Sequence, residues 1–262
     1  MGMVKAKSGP RRWALGLGAA AMTATVLSGG VAAVAYAAPA KASSVAYAAP
    51  AKASSAAYTP ATRTLRPGMR GNDVKRLQRR LAQLAYYPGT TDGHYSSGTE
   101  EAVWAFEEVQ NMPASGTVTV KVEQALINPR YPTPLVAHGA ALRVEVSLGR
   151  HVLYVYHSHR IVLISHISSG GGYYYCDSGC SYAITPTGNF RTLWRVKGWH
   201  TSPLGELYNP VFFYSGFAIH GDTYVPIQPV SHGCIRIPMD VANIFPGLVP
   251  RNGIPVYVRA RG

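Results

Sequence analysis

Cysteine, acidic residues and charge in general are all scarce in this sequence, and each shortage narrows what the chain can be. There are three cysteines in 262 residues and the first is Cys176, so the amino-terminal region offers no cysteine for lipid attachment and a lipoprotein is excluded. Charged residues make up 14% of the chain and apolar ones 47%, too little charge and too much core material for a disordered polymer. Acids number 12 against 25 Lys and Arg, a net charge of +13. Such an excess suits nucleic acid, but there is no zinc-finger spacing, no aromatic RNA-binding signature and no long basic helix, so no nucleic-acid partner is expected. An anionic envelope polymer or a plain solvated basic surface accounts for the charge equally well. His157 and His159 stand two apart on a polar turn where solvent exposure is expected, and no His, Asp or Glu cluster completes a tetrahedral metal site around them. No metal is expected.

What the chain does have begins with a basic start. Lys5, Lys7, Arg11 and Arg12 precede an Ala/Gly-rich apolar run from Trp13 to Ala37, and Ala35-Tyr36-Ala37 has the small-x-small form of a signal-peptidase site. Residues 1–37 read as an export signal, of the general secretory kind or, from Arg11-Arg12, of the twin-arginine kind. The run is also long enough to stay as an uncleaved membrane anchor. Export places the protein in the cell wall or a periplasm-like space. Without the four cations of residues 1–37 the remainder still carries +9. Ala35–Val45 then recurs almost unchanged as Ala46–Ala56, and with its Ala/Pro/Ser content residues 38–60 read as a flexible tether.

Residues 61–129 carry helical periodicity. Gly71-Asn72-Asp73 forms a start signal and Val74, Leu77, Leu81 and Leu84 recur at helical spacing; a second helix follows Ser97-Gly98-Thr99 with Thr99 as its cap, and a third fits Thr119–Ile127. Pro67 to Gln78, Asp92-Gly93-His94-Tyr95, Thr99, Ala102-Val103, Phe106 and Ser115-Gly116-Thr117-Val118 resemble the type 1 peptidoglycan-binding domain. The pattern departs from that family at Glu107, where Gln is usual, and at Ser115, where Asp is common. A dimerisation or spacer module is the alternative.

After a linker at 130–139 the pattern turns to alternation. Strands are predicted around 144–148, 152–156, 161–167, 190–196, 211–219 and 254–258, with helical signal confined to 240–245. The fold class is therefore α+β with two domains: a small three-helix module, then a mostly β domain over 140–262, a sandwich or a barrel.

Chemistry concentrates in Ile219-His220-Gly221 and Ser231-His232-Gly233-Cys234-Ile235-Arg236. A cysteine nucleophile acts as thiolate, and His232 and Arg236, within two residues of Cys234, are the types that lower a thiol pKa. Gly233 permits a backbone that a Cβ would forbid. The bland alternative is a core cysteine. Together with Ser168-Ser169-Gly170, Thr185-Pro186-Thr187-Gly188 and Asp240, these residues resemble the YkuD-type L,D-transpeptidase family over nearly all of 141–259. The interval of ten residues between His220 and Ser231 is shorter than that family's usual one.

The resemblance implies an enzyme without metal or cofactor acting on peptidoglycan stem peptides. Cys234 is then the nucleophile and His220 the proton carrier. His232 pairs with the thiolate or holds the geometry, Arg236 orients the site or a substrate carboxylate, Gly233 and Cys234 offer N–H groups to the oxyanion, and Ser231 hydrogen-bonds an imidazole. The outcome is a 3→3 cross-link; an L,D-carboxypeptidase, another wall hydrolase or a non-catalytic wall-binding protein are the alternatives. Cys176 and Cys180, close together in an exported chain, are read as a disulfide, the alternatives being two free thiols or half a metal site.

Overall fold

The computed structural model describes residues 58–177 and 179–261. The expected signal and the 11-residue repeat lie outside them. Among the described residues no helix is long and apolar enough to cross a membrane.

Three helices form first: α1 (Asn72–Gln83), α2 (Ser97–Val109) and α3 (Val120–Ile127). Their spaced apolar residues Val74, Leu77, Leu81, Val103, Phe106 and Leu126 meet in one fully buried cluster. The expected cap of α2 is displaced: Ser96 takes that place, its Oγ accepting the Thr99 N–H at 3.4 Å. Thr99 instead turns inward, where its hydroxyl meets Gln78 Nε2 at 3.0 Å. The buried Gln78 amide also donates to His94 O and accepts from Gly93 N–H, both at 2.8 Å, so its polar atoms are satisfied inside the core. The two family departures prove to be partners. Glu107 accepts the Ser115 N–H and hydroxyl, each at 2.7 Å, and the Gly116 N–H at 2.9 Å, a set of donors that a carboxylate can use fully.

The strands are β1 (Arg143–Ser147), β2 (Val152–His157), β3 (Arg160–His166), β4 (Tyr174–Cys176), β5 (Cys180–Tyr182), β6 (Gly188–Arg191), β7 (Trp199–Ser202), β8 (Gly205–Tyr214), β9 (Phe217–Asp222), β10 (Ile235–Pro238) and β11 (Pro255–Arg259), with α4 (Met239–Leu248) between the last two. They make a five-stranded sheet in the order β3-β2-β1-β11-β6, a four-stranded sheet β10-β9-β8-β7 and a small ribbon β4-β5. The two large sheets are open rather than closed into a barrel. Between them lies a core of Val144, Val146, Leu153, Val155, Val211, Ile219, Ile235, Ile237 and Phe245 of α4.

Two strand expectations and one turn expectation change. The run 211–219 is two strands, because the chain reverses at Ser215-Gly216, with Ser215 at φ +45°. The run 190–196 ends as β6 at Arg191; Leu193–Val196 pair with β8 instead, through Leu193 N–H to Phe212 O and Val196 N–H to Pro210 O. His157 is not a free turn residue, since its Nε2 meets Leu248 O at the end of α4 at 2.6 Å, while His159 is exposed.

The alternation in β2 has a cause the pattern alone does not show. Leu153 and Val155 face the core between the sheets, and Val152, Tyr154 and Tyr156 face the opposite way into the core of the helices. Helices and sheet thus share apolar surface. Ile164 N–H reaches Ala85 O at 2.8 Å, and the intervening 130–139 segment is pinned by Arg130 N–H to Gln110 Oε1 and Leu135 N–H to Glu145 Oε2. Glu145 and Arg143 form a buried ion pair at 2.7 Å, with the guanidinium 3.5 Å from the Tyr156 ring centre.

α4 also reaches the helices. A methyl on Gly98 would stand 2.4 Å from Asp240 Oδ2, and one on Gly89 2.3 Å, so these glycines leave room for that carboxylate. Nearby Glu101 is pushed up to about 8, first by burial and then by the charges of Asp240 and Glu100. Its folded pKa is above its unfolded one, so the folded state holds the extra proton across the interval and stability falls as pH rises from about 4.5 to about 8. Thermal unfolding should therefore occur at a lower temperature at pH 8 than at pH 5, and Glu101→Gln should flatten that difference. A variant with the wild-type pH slope would remove Glu101 as its source.

Candidate active site

β9 and β10 run parallel, with Arg236 opposite His220 and Ile235 opposite Ile219. Side chains alternate across a strand, so Ile219, Ile235 and Ile237 enter the core while Ala218, His220 and Arg236 face the other way. Cys234, one residue before β10, continues that outward row. Its Sγ lies 3.4 Å from the Ala218 N–H. Cys234 thus stands one register step before Ile235 and His220 one after Ile219, on the same outward face of neighbouring chain segments. Both line a cleft of about 590 Å³, walled by the β4-β5 ribbon on one side and the turn between β7 and β8 on the other.

His220 is 2% exposed. Its Nδ1 lies 2.9 Å from Gly221 O, and a carbonyl only accepts, so Nδ1 carries the proton and Nε2 keeps its lone pair. Burial lowers its pKa, opposed by the Gly221 carbonyl and the Asp222 charge. Cys234 is the free thiol among the described residues. Its pKa is raised: burial outweighs the Ala218 N–H and the Arg236 charge. This reverses the expectation from sequence, in which flanking cations lower the thiol. The resting pair is neutral thiol and neutral imidazole.

The other motif residues sit as follows. The His232 ring packs edge-on against Tyr175 and Tyr173, at 4.7 and 5.6 Å between centres. Arg236 pairs with Asp222 at 3.2 Å and donates to Tyr224 O, bracing the connection between His220 and Cys234. Ser231 does not meet an imidazole; its Oγ donates to Cys234 O at 2.5 Å and accepts the Gly233 N–H at 3.0 Å. The Gly233 N–H is therefore engaged within the turn instead of facing an oxyanion. Gly233 has φ +140°, and a Cβ there would stand 2.5 Å from the Phe217 ring and 2.9 Å from Ile184 O. Thr185 donates to Gly233 O at 2.8 Å and receives the Gly170 N–H at the same distance.

Ser168, not singled out for any role by its sequence, anchors this segment. It exchanges both backbone bonds with Arg236, and its Oγ donates to Gln228 O and accepts the Val230 N–H. Cys176 and Cys180 are joined, closing the tip of the β4-β5 ribbon over the cleft.

Comparison with known proteins places this architecture. Residues 70–126 match the peptidoglycan binding domain and residues 141–258 the L,D-transpeptidase catalytic domain. The crystal structure of an L,D-transpeptidase from Xylanimonas cellulosilytica is 32% identical, with 77% of this chain and 100% of that one aligned at a TM-score of 0.71. An L,D-transpeptidase from Stackebrandtia nassauensis aligns over 78% of this chain and 98% of its own, at 22% identity and a TM-score of 0.45. No curated protein matches the chain. The chain belongs to the L,D-transpeptidase family, with a peptidoglycan-binding domain ahead of the catalytic one.

Proposed function

We propose that the protein is an exported enzyme that forms 3→3 cross-links between peptidoglycan stem peptides through a thioester on Cys234. The observation that carries this is a free thiol and a buried imidazole, its Nδ1 committed to Gly221 O, lining one cleft on the same face of neighbouring segments. As the Cys234 sulfur attacks the carbonyl of the third stem residue, its proton passes to His220 Nε2 and then to the leaving amine of the terminal D-alanine. The side-chain amine of a second stem then attacks the thioester, loses its proton to His220 and restores the thiol. The Cys234 N–H is the donor this segment contributes to the oxyanion. The Cys176–Cys180 pairing fits an oxidising compartment outside the cytoplasm, and the basic excess favours approach to an anionic wall.

Incubation with disaccharide-tetrapeptide, with products weighed by mass spectrometry, tests the reading. A dimer lacking one D-alanine supports transfer; tripeptide monomer alone makes the protein a carboxypeptidase; unchanged substrate defeats both.

The neutral resting pair predicts a pH profile. Alkylation of Cys234 by iodoacetamide should rise with a midpoint above the ordinary thiol value of about 8.5. Acylation by substrate should instead lose rate only on the acid side, as His220 protonates below its ordinary range. An alkylation midpoint well below 7 would show a preformed thiolate and overturn the general-base role.

A further inference from the structure

The outward face of the second sheet does not end at the cleft. Cys234 packs into a small cluster with Ala218, Phe212 and Leu207, and Phe212 lies opposite Ala218 in the β8-β9 register. On Phe212 lies the Trp194 indole, stacked at 3.6 Å between ring centres and 11° from parallel. His200 stands edge-on to both rings, 5.8 Å from each. Trp194 remains 44% exposed although one of its faces is covered by Phe212. Its neighbour Arg195 turns the other way, to Val249 O behind the sheet, which holds the segment so that Trp194 presents its ring outward. An exposed, rigid aromatic ring is therefore joined through buried Phe212 to the cluster against which the nucleophile packs.

We propose that Trp194, backed by Phe212 and flanked by His200, is a platform for the sugar that bears the donor stem. This rests on the transpeptidase reading and adds a second point of contact to it. A pyranose ring has one face of C–H groups, apolar and slightly positive, which complements the negative face of an indole. The His200 ring stands where a sugar hydroxyl can find a hydrogen-bond partner. The reach agrees as well. The Trp194 backbone pairs with β8 and its indole lies on Phe212 of that strand, so the ring stands two to three strand spacings from the Cys234 segment, about 10–14 Å. From the scissile carbonyl of the third residue back to the sugar are three residues at about 3.5 Å each plus the short linkage to the ring, close to the same length.

The test compares Cys234 acylation in the full chain by disaccharide-tetrapeptide and by free tetrapeptide, for wild type, Trp194→Ala and Trp194→Tyr. The platform predicts that Trp194→Ala loses about five- to tenfold on the sugar-bearing substrate. It predicts little change on the free peptide and recovery of most of the loss with Trp194→Tyr. Equal losses on both substrates, or none on either, overturn it. If wild type is acylated by neither substrate, the transpeptidase reading falls separately. Quenching of tryptophan fluorescence by the disaccharide alone then decides the platform: quenching lost in Trp194→Ala upholds it, and quenching that persists or never appears rejects it.

Discussion

Cys234→Ala is expected to abolish the acyl-enzyme: no mass increase on the protein with disaccharide-tetrapeptide, and turnover lower by at least about a thousandfold, as with other catalytic nucleophiles. The fold should survive, because the thiol is a small partly buried group held by the Ala218 N–H at 3.4 Å and Gly216 O at 3.9 Å. Thermal unfolding within a few degrees of wild type would confirm that the lost activity is chemical. A variant that still releases D-alanine at the wild-type rate would show that the chemistry lies elsewhere.

The second large effect is expected outside the reacting groups, at His166. This residue ends β3 and is 1% exposed, with Nδ1 3.1 Å from both carboxylate oxygens of Glu108 on α2 and Nε2 3.1 Å from Pro226 O. Pro226 O can only accept, so Nε2 carries a hydrogen, and a further proton lies between Nδ1 and Glu108. Glu108 itself is pushed up to about 7, because burial outweighs the help it receives from His166. The imidazole thus ties the helical domain to the connection between His220 and Cys234. His166→Ala removes both bonds, strands a buried carboxyl and takes away the edge partner of Trp104. A loss of about 3 kcal/mol follows, or roughly 6–12 °C in unfolding temperature for a chain of this size. Acylation measured well below the unfolding midpoint should also slow, since the 223–230 connection loses an anchor. Glu108→Gln, which keeps a hydrogen-bonding group against Nδ1, should lose less on both counts. Unfolding of His166→Ala at the wild-type temperature would refute the tie.

Much of this was readable from residue order. The start of α2 lies three residues earlier than the pattern suggests, since Ser96 and Thr99 are both competent caps and Gln78 decides between them by taking the Thr99 hydroxyl into the core. The run 211–219 read as one strand because Ser215-Gly216 is a weak turn signal between two apolar segments. The departures at Glu107 and Ser115 looked independent because eight residues separate them, and only the folded turn shows one satisfying the other.

By itself the sequence determined the helices, the longer strand runs, the two-part organisation and the reactive segment, because these follow from local periodicity and from a run of neighbouring residues around Cys234; the short strands β4, β5, β7 and β10 carry no such signal. Tertiary structure alone decided what covers each face and what charge the site carries. Periodicity marks Val152, Tyr154 and Tyr156 as an apolar row but does not say that helices some fifty residues earlier lie on it. Likewise the types flanking Cys234 favour a thiolate, yet its proton is retained because protonation depends on how much water distant strands exclude, and that quantity exists only once they have packed.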